Sequence, residues 1–175
     1  MATTDRQKQR GNEIGPTGRE VGRNVKRVRT DLGWTQADLS RHIAENGHPI
    51  PVASIGRIET GDRRVEVDDL MALAIVLGVS PVSLLLPYTR SPHDRVEVTG
   101  WGQTDALTVW GYATAAIPLE MDGSVEDMEA EFLALRARSL PWWVEVEARE
   151  TLLGEQASRA WQRWFDASER EPDNG

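Results

Sequence analysis

Val52, Ala53, Ser54 and Arg57 fall in one short run, V-A-S-I-G-R-I-E-T-G, in which Ile55 and Ile58 supply an apolar side. On a helix that spacing leaves small side chains and one guanidinium facing outward. A guanidinium presented this way can donate two parallel hydrogen bonds to guanine O6 and N7. Ser54 can bond a base or a phosphate, and Val52 and Ala53 can meet a thymine methyl. Arg63 and Arg64 follow in the next loop, where a cation positions a phosphate without reading sequence. Other chemistry is poorly provided for. There is no cysteine, which excludes disulfides and thiolate ligands or nucleophiles. There is no H-E-x-x-H, P-loop or G-x-S-x-G, and Glu145 and Glu147 alternate along an expected helix without facing each other. His42 and His48 share no metal-ligand spacing and read as surface and turn residues. No enzyme activity, metal or cofactor is expected.

The elements that must hold Arg57 in place are legible as apolar stripes. Val21, Val25, Val28 and Leu32 mark a first helix ending at Gly33. Thr35 is an N-cap for a second, with Leu39 and Ile43 inward and Asp38 three residues past the cap. Asn46-Gly47-His48-Pro49 stops that helix, Pro51 opens a third and Gly61 closes it. A fourth starts near Val67, with Asp68 and Asp69 at its positive end and Leu70, Leu73, Ala74 and Leu77 as its stripe. Ser80-Pro81 opens a short fifth helix through Leu86, stopped by Pro87. Together these predict a five-helix bundle over residues 18–88, preceded by a flexible arm, 1–17, whose Arg6, Lys8 and Arg10 suit a DNA backbone.

The runs L-G-W-T-Q-A-D-L-S, S-I-G-R-I-E-T-G-D-R-R-V and V-D-D-L-M-A-L-A-I-V-L-G-V-S-P-V-S-L-L resemble the Cro/C1-type, xenobiotic-response-element family of helix-turn-helix regulators. The resemblance covers about 40% of the chain and implies a lambda-repressor-like bundle. It also implies roles. Val52, Ala53, Ser54 and Arg57 match base-facing positions. Gln36 matches a residue that grips a phosphate and braces the recognition helix, with Thr35 beside it at the backbone. Asp62, Arg63 and Arg64 fall in a loop that meets the sugar-phosphate chain, and Arg29 with Glu59 matches a partly buried ion pair. One departure is the linker Ala44 to Pro51, about five residues longer than the compact family turn.

The formal charge of -8 argues against nucleic acid until it is divided. Residues 1–64 hold 12 Lys+Arg against 8 Asp+Glu, whereas residues 65–175 hold 8 against 20. From Ser91 the character changes. Arg95 to Thr99 alternates like a strand, Gly100-Trp101-Gly102 turns, and Ala106 to Tyr112 reads as a returning strand or a short helix. Ser124 caps a helix from Val125 to about Ser139, with Met128, Phe132 and Leu135 as its stripe. A last helix spans about Val144 to Ala167, carrying Leu153, Ala157, Trp161 and Trp164. Six of seven tryptophans lie beyond residue 100. Residues 89–167 therefore read as a small α+β, Trp-rich module with a hairpin and two helices, either for dimerisation or effector binding or as an acidic domain whose tryptophans fill its own core. Residues 168–175 read as a disordered tail.

The chain is thus expected to be mainly α and to act as a dimeric repressor reading an inverted repeat in double-stranded DNA. The alternative is an antitoxin-like adaptor whose C-terminal half binds a partner protein. Neither a signal peptide nor a membrane span is legible, so a cytoplasmic, nucleoid-associated protein is expected.

Overall fold

The computed structural model describes residues 13–119, 125–141 and 144. The expected arm up to Asn12, the Ser124 cap, Trp142 and Trp143, the last helix beyond Val144 and the tail lie outside them. Seven helices and two strands are present among the described residues: α1 (Pro16–Asp31), α2 (Gln36–Glu45), α3 (Val52–Thr60), α4 (Val67–Leu77), α5 (Pro81–Leu85), β1 (Arg95–Val98), β2 (Gly102–Asp105), α6 (Ala106–Ala113) and α7 (Val125–Ser139).

All five helices expected between residues 18 and 88 are formed, with two boundary shifts. Pro16 and Thr17, expected in the arm, open α1, because a proline at the first helical position has the required φ and lacks an amide that would be unpaired there anyway. Pro51 is the N-cap of α3 and not its first helical residue. The core draws on every helix of the bundle: Val25, Leu39, Ile43, Ile55, Leu73 and Leu84 are fully buried. Each such side chain contributes about 1.5–3 kcal/mol relative to exposure.

α1 and α3 touch through their backbones. A Cβ added at Gly22 would stand 2.1 Å from the Ile58 carbonyl oxygen, so only glycine permits this crossing. The far end of the bundle is tied by a buried amide. Asn24 Nδ2 donates to the carbonyls of Leu84 (3.1 Å) and Leu86 (2.8 Å), satisfying oxygens that the end of a short helix leaves without partners.

The connection between α2 and α3 is fastened throughout its length. α2 runs to Glu45, leaving Asn46 to Pro51 as connector, with Gly47 at φ 84. Ile50 is inserted into the core, Ser40 Oγ donates to the Ile50 carbonyl at 2.6 Å, and His48 Nε2 lies 2.8 Å from Asp69 Oδ1 on α4. Asp69 is itself buried and also accepts from Arg63 Nη2 at 2.9 Å.

β1 and β2 pair antiparallel, Arg95 opposite Asp105 and Val98 opposite Gly102. The returning strand is therefore Gly102–Asp105, and the Ala106–Tyr112 segment is helical. Asp105 caps α6, accepting from the Thr108 amide at 2.9 Å, and this local bond prevails over the β-branched and aromatic residues that favour a strand. Leu86, Val96, Ala106 and Val109 form a second small core, with Trp101 and Trp110 packed on it. Trp110 Nε1 donates to the Pro87 carbonyl at 3.1 Å. These two tryptophans thus fill the hairpin's own core. The hairpin also exchanges two hydrogen bonds with α1, Thr17 N to Thr99 Oγ1 and Thr99 N to Thr17 Oγ1.

The chain divides into two compact units, Met1–Thr114 and Ala115–Gly175. The hairpin and α6 lie in the first with the bundle, whereas sequence reading drew its line after residue 88. In the second unit α7 has the expected limits, with Leu135 buried and the Arg136 guanidinium 5.4 Å from the centre of the Phe132 ring.

Candidate nucleic-acid interface

α3 is held from one side and open on the other. Ile55, Ile58 and Glu59 point inward, while Val52, Ala53 and Arg57 are exposed and Ser54 is half-buried. All four residues expected to face bases thus lie on or beside the outward surface. Among the described residues the Arg57 guanidinium makes one long side-chain bond, Nη2 to the Asp62 carbonyl at 3.4 Å, and this leaves most of its five N–H donors for other acceptors. No side chain caps the N-terminus of α3, so its first amides are presented at the end of the helix where a phosphate oxygen is favoured.

A three-residue lock sets the pose of α3. Arg29 on α1 donates Nε to Glu59 Oε1 at 2.6 Å and Nη2 to Oε2 at 3.0 Å, and its Nη1 bonds the Trp34 carbonyl. Gln36 Nε2, from the first turn of α2, donates to Glu59 Oε2 at 2.8 Å. The Glu59 side chain is only 2% exposed, so three donors compensate a carboxylate removed from water. The hydrogen bonds to Glu59 raise the Arg29 pKa above its ordinary value, against the opposing effect of burial. The expected Arg29–Glu59 pair is present, and Gln36 joins it. Gly56 lets the Gln36 amide lie over α3, since a Cβ there would stand 3.3 Å from Gln36 Oε1.

Three expected backbone contacts have other commitments. The Thr35 hydroxyl accepts from the Asp38 amide (3.1 Å) and donates to Asp38 Oδ2 (2.7 Å), while Asp38 Oδ2 also accepts from the Thr35 amide (3.0 Å). These bonds, helped by Arg41, lower the Asp38 pKa to about 2. Thr35 is therefore first a cap, and what it leaves for DNA is the adjacent helix end. Arg63 is held by Asp69, and Arg64 Nη2 donates to the Glu13 carbonyl at 3.1 Å.

Sequence reading missed three contributors. Gly22 was one, and a glycine inside an apolar-striped helix is the signal that marks it. The second was His48, a fastener of the connector and not merely a turn residue. The third was Asp69, assigned only to the helix dipole. Among the described residues no group of three or more His, Asp or Glu is placed to hold a metal ion, and no helix is long and apolar enough to cross a membrane.

Residues 25–84 match the family model described as Helix-turn-helix. Among solved structures, the chain is similar to one titled "Crystal structure of the DNA-binding domain of BldD", with 26% identity over 39% of this chain and 93% of that one, at a TM-score of 0.35. A comparison with curated proteins finds no match.

Proposed function

We propose that the protein is a sequence-specific DNA-binding transcriptional regulator, a dimeric repressor that lays α3 in the major groove of an inverted repeat. The observation that carries this reading is the division of labour on α3, whose inward residues are locked to α1 and α2 while Val52, Ala53 and Arg57 are exposed and Ser54 lies half-buried beside them. Arg57 reads guanine, Ser54 a base or phosphate, and Val52 and Ala53 a thymine methyl. The α3 N-terminus beside Thr35 and Gln36, together with Arg63 and Arg64, meets phosphates.

Dimerisation needs an exposed apolar surface, and an apolar stripe on α4 supports that reading. Val67, Met71 and Ile75 recur every fourth residue, each exposed, Val67 by 77% and Ile75 by 65%. Two copies related by a two-fold axis would present their α3 helices to half-sites about 10 base pairs apart, or a multiple of that. Selection of bound DNA from a random pool by the purified protein tests the reading. A two-fold-symmetric consensus, with an affinity that falls as salt rises, is the expected result. An unenriched pool, or an affinity indifferent to salt, would overturn it.

A further inference from the structure

We propose that the cleft between α1 and the hairpin binds a small organic polyanion bearing a planar ring, the chemistry of a nucleotide. The cleft has a volume of about 600 Å³, and no residue of α2 or α3 lines it. That is the size of an ordinary small-molecule pocket.

One wall is a row of guanidiniums. Arg19, Arg23 and Arg27 recur every fourth residue on α1 and all line the cleft, spaced about 6 Å apart along the helix axis. Arg95 of β1 lines it too. Four arginines stand against two glutamates, Glu20 and Glu97, and the Glu20 carboxylate is already bonded by Arg23. Arg19 and Arg95 keep most of their donors, Arg19 giving one nitrogen to the Ile14 carbonyl and Arg95 giving Nη2 to the Gln103 carbonyl at 3.2 Å. Arg23 gives Nε and Nη2 to Glu20, and Arg27 makes long bonds to Asn24 Oδ1 and a 3.7 Å pair with Asp31, contacts that an anion can replace. Forked donors in a row match successive phosphate oxygens better than a single anion, because the row spans about 12 Å.

A second feature selects a ring. The Arg27 guanidinium lies 4.1 Å from the centre of the Tyr88 ring, and Tyr88, also in the lining, is 67% exposed. A planar cation stacked on an exposed aromatic ring is a platform for a base. The floor is firm, since Asn24 there is buried and holds the Leu84 and Leu86 carbonyls. The assignment does not depend on DNA binding.

Calorimetric titration of the full chain with ATP, GTP, adenosine and inorganic pyrophosphate tests it. One molecule of ATP or GTP bound per chain is expected, with adenosine at least a hundredfold weaker. Exposed Arg95→Gln should weaken nucleotide binding at least tenfold with an unchanged melting temperature, whereas the pair Arg23→Gln and Arg27→Gln should weaken it likewise while lowering the melting temperature, since Arg23 pairs with buried Glu20. Tyr88→Ala should weaken ATP and leave pyrophosphate unaffected. Arg57→Gln should change neither. Absence of saturable nucleotide binding at millimolar concentration would overturn the proposal. So would an equal loss in Arg57→Gln, pyrophosphate binding as tight as ATP, or a glutamate-rich peptide binding more tightly than any nucleotide.

Discussion

Arg57 and Arg63 carry the same guanidinium into different surroundings, and the difference predicts how their loss will register. Arg57 is exposed with one long bond, so Arg57→Ala should remove about 1–3 kcal/mol of base discrimination and leave the unfolding midpoint unchanged. Arg63→Ala strips a partner from buried Asp69, so it should lower stability as well as affinity for every sequence. Competition binding and urea unfolding of both variants check this. Asp38 supplies a pH dependence. Its folded pKa of about 2 lies below the ordinary 3.8, so its carboxylate stabilises the fold above the ordinary value. That contribution is lost as pH falls through the window down to about 2. The melting-temperature difference between wild type and Asp38→Asn should hold constant above about pH 5 and shrink below pH 4. Arg29, shifted upward, keeps its charge throughout the acid range, so no part of the acid loss of stability comes from its deprotonation.

At the scale of elements, two substitutions separate packing from connection. Gly22→Ala puts a methyl 2.1 Å from a backbone oxygen, so α1 and α3 must separate. The expected loss is at least about 1–3 kcal/mol by denaturant unfolding, together with loss of DNA affinity although Gly22 faces no solvent. Ile50→Ala leaves the connector bonds in place but empties a core position, costing about 2–5 kcal/mol in the same measurement. The five bundle helices were legible because their stripes are long and bounded by local caps such as Thr35, Ser80 and Gly61. Gly22, His48 and Asp69 were not legible in their roles, because each acts through a residue distant in sequence. The α6 segment was ambiguous because Leu107, Thr108, Val109 and Trp110 suit a strand while a single aspartate caps a helix. The outward residues of α3 were readable from periodicity alone, whereas the prior commitments of Thr35 and Arg63 required the folded geometry.

For the whole molecule, the apolar stripe on α4 ties the reading of an inverted repeat to assembly. Ile75→Asp places a charge at one end of the exposed apolar stripe and should convert a dimer to a monomer in solution-mass measurements, with helicity retained by circular dichroism. Affinity for a full operator should then fall far more than affinity for a half-site. A dimer that persists unchanged would remove α4 from the interface. The lock around Glu59 has a different kind of consequence. Its bonds, and the close approach at Gly22, all lie on the inner side of α3, so the letters displayed outward at Val52, Ala53, Ser54 and Arg57 are interchangeable type set in a fixed frame. If α3 reads DNA as proposed, a handful of point changes there would rewrite which operator is read without touching the lock, so a new target would lie within short mutational reach of the old one.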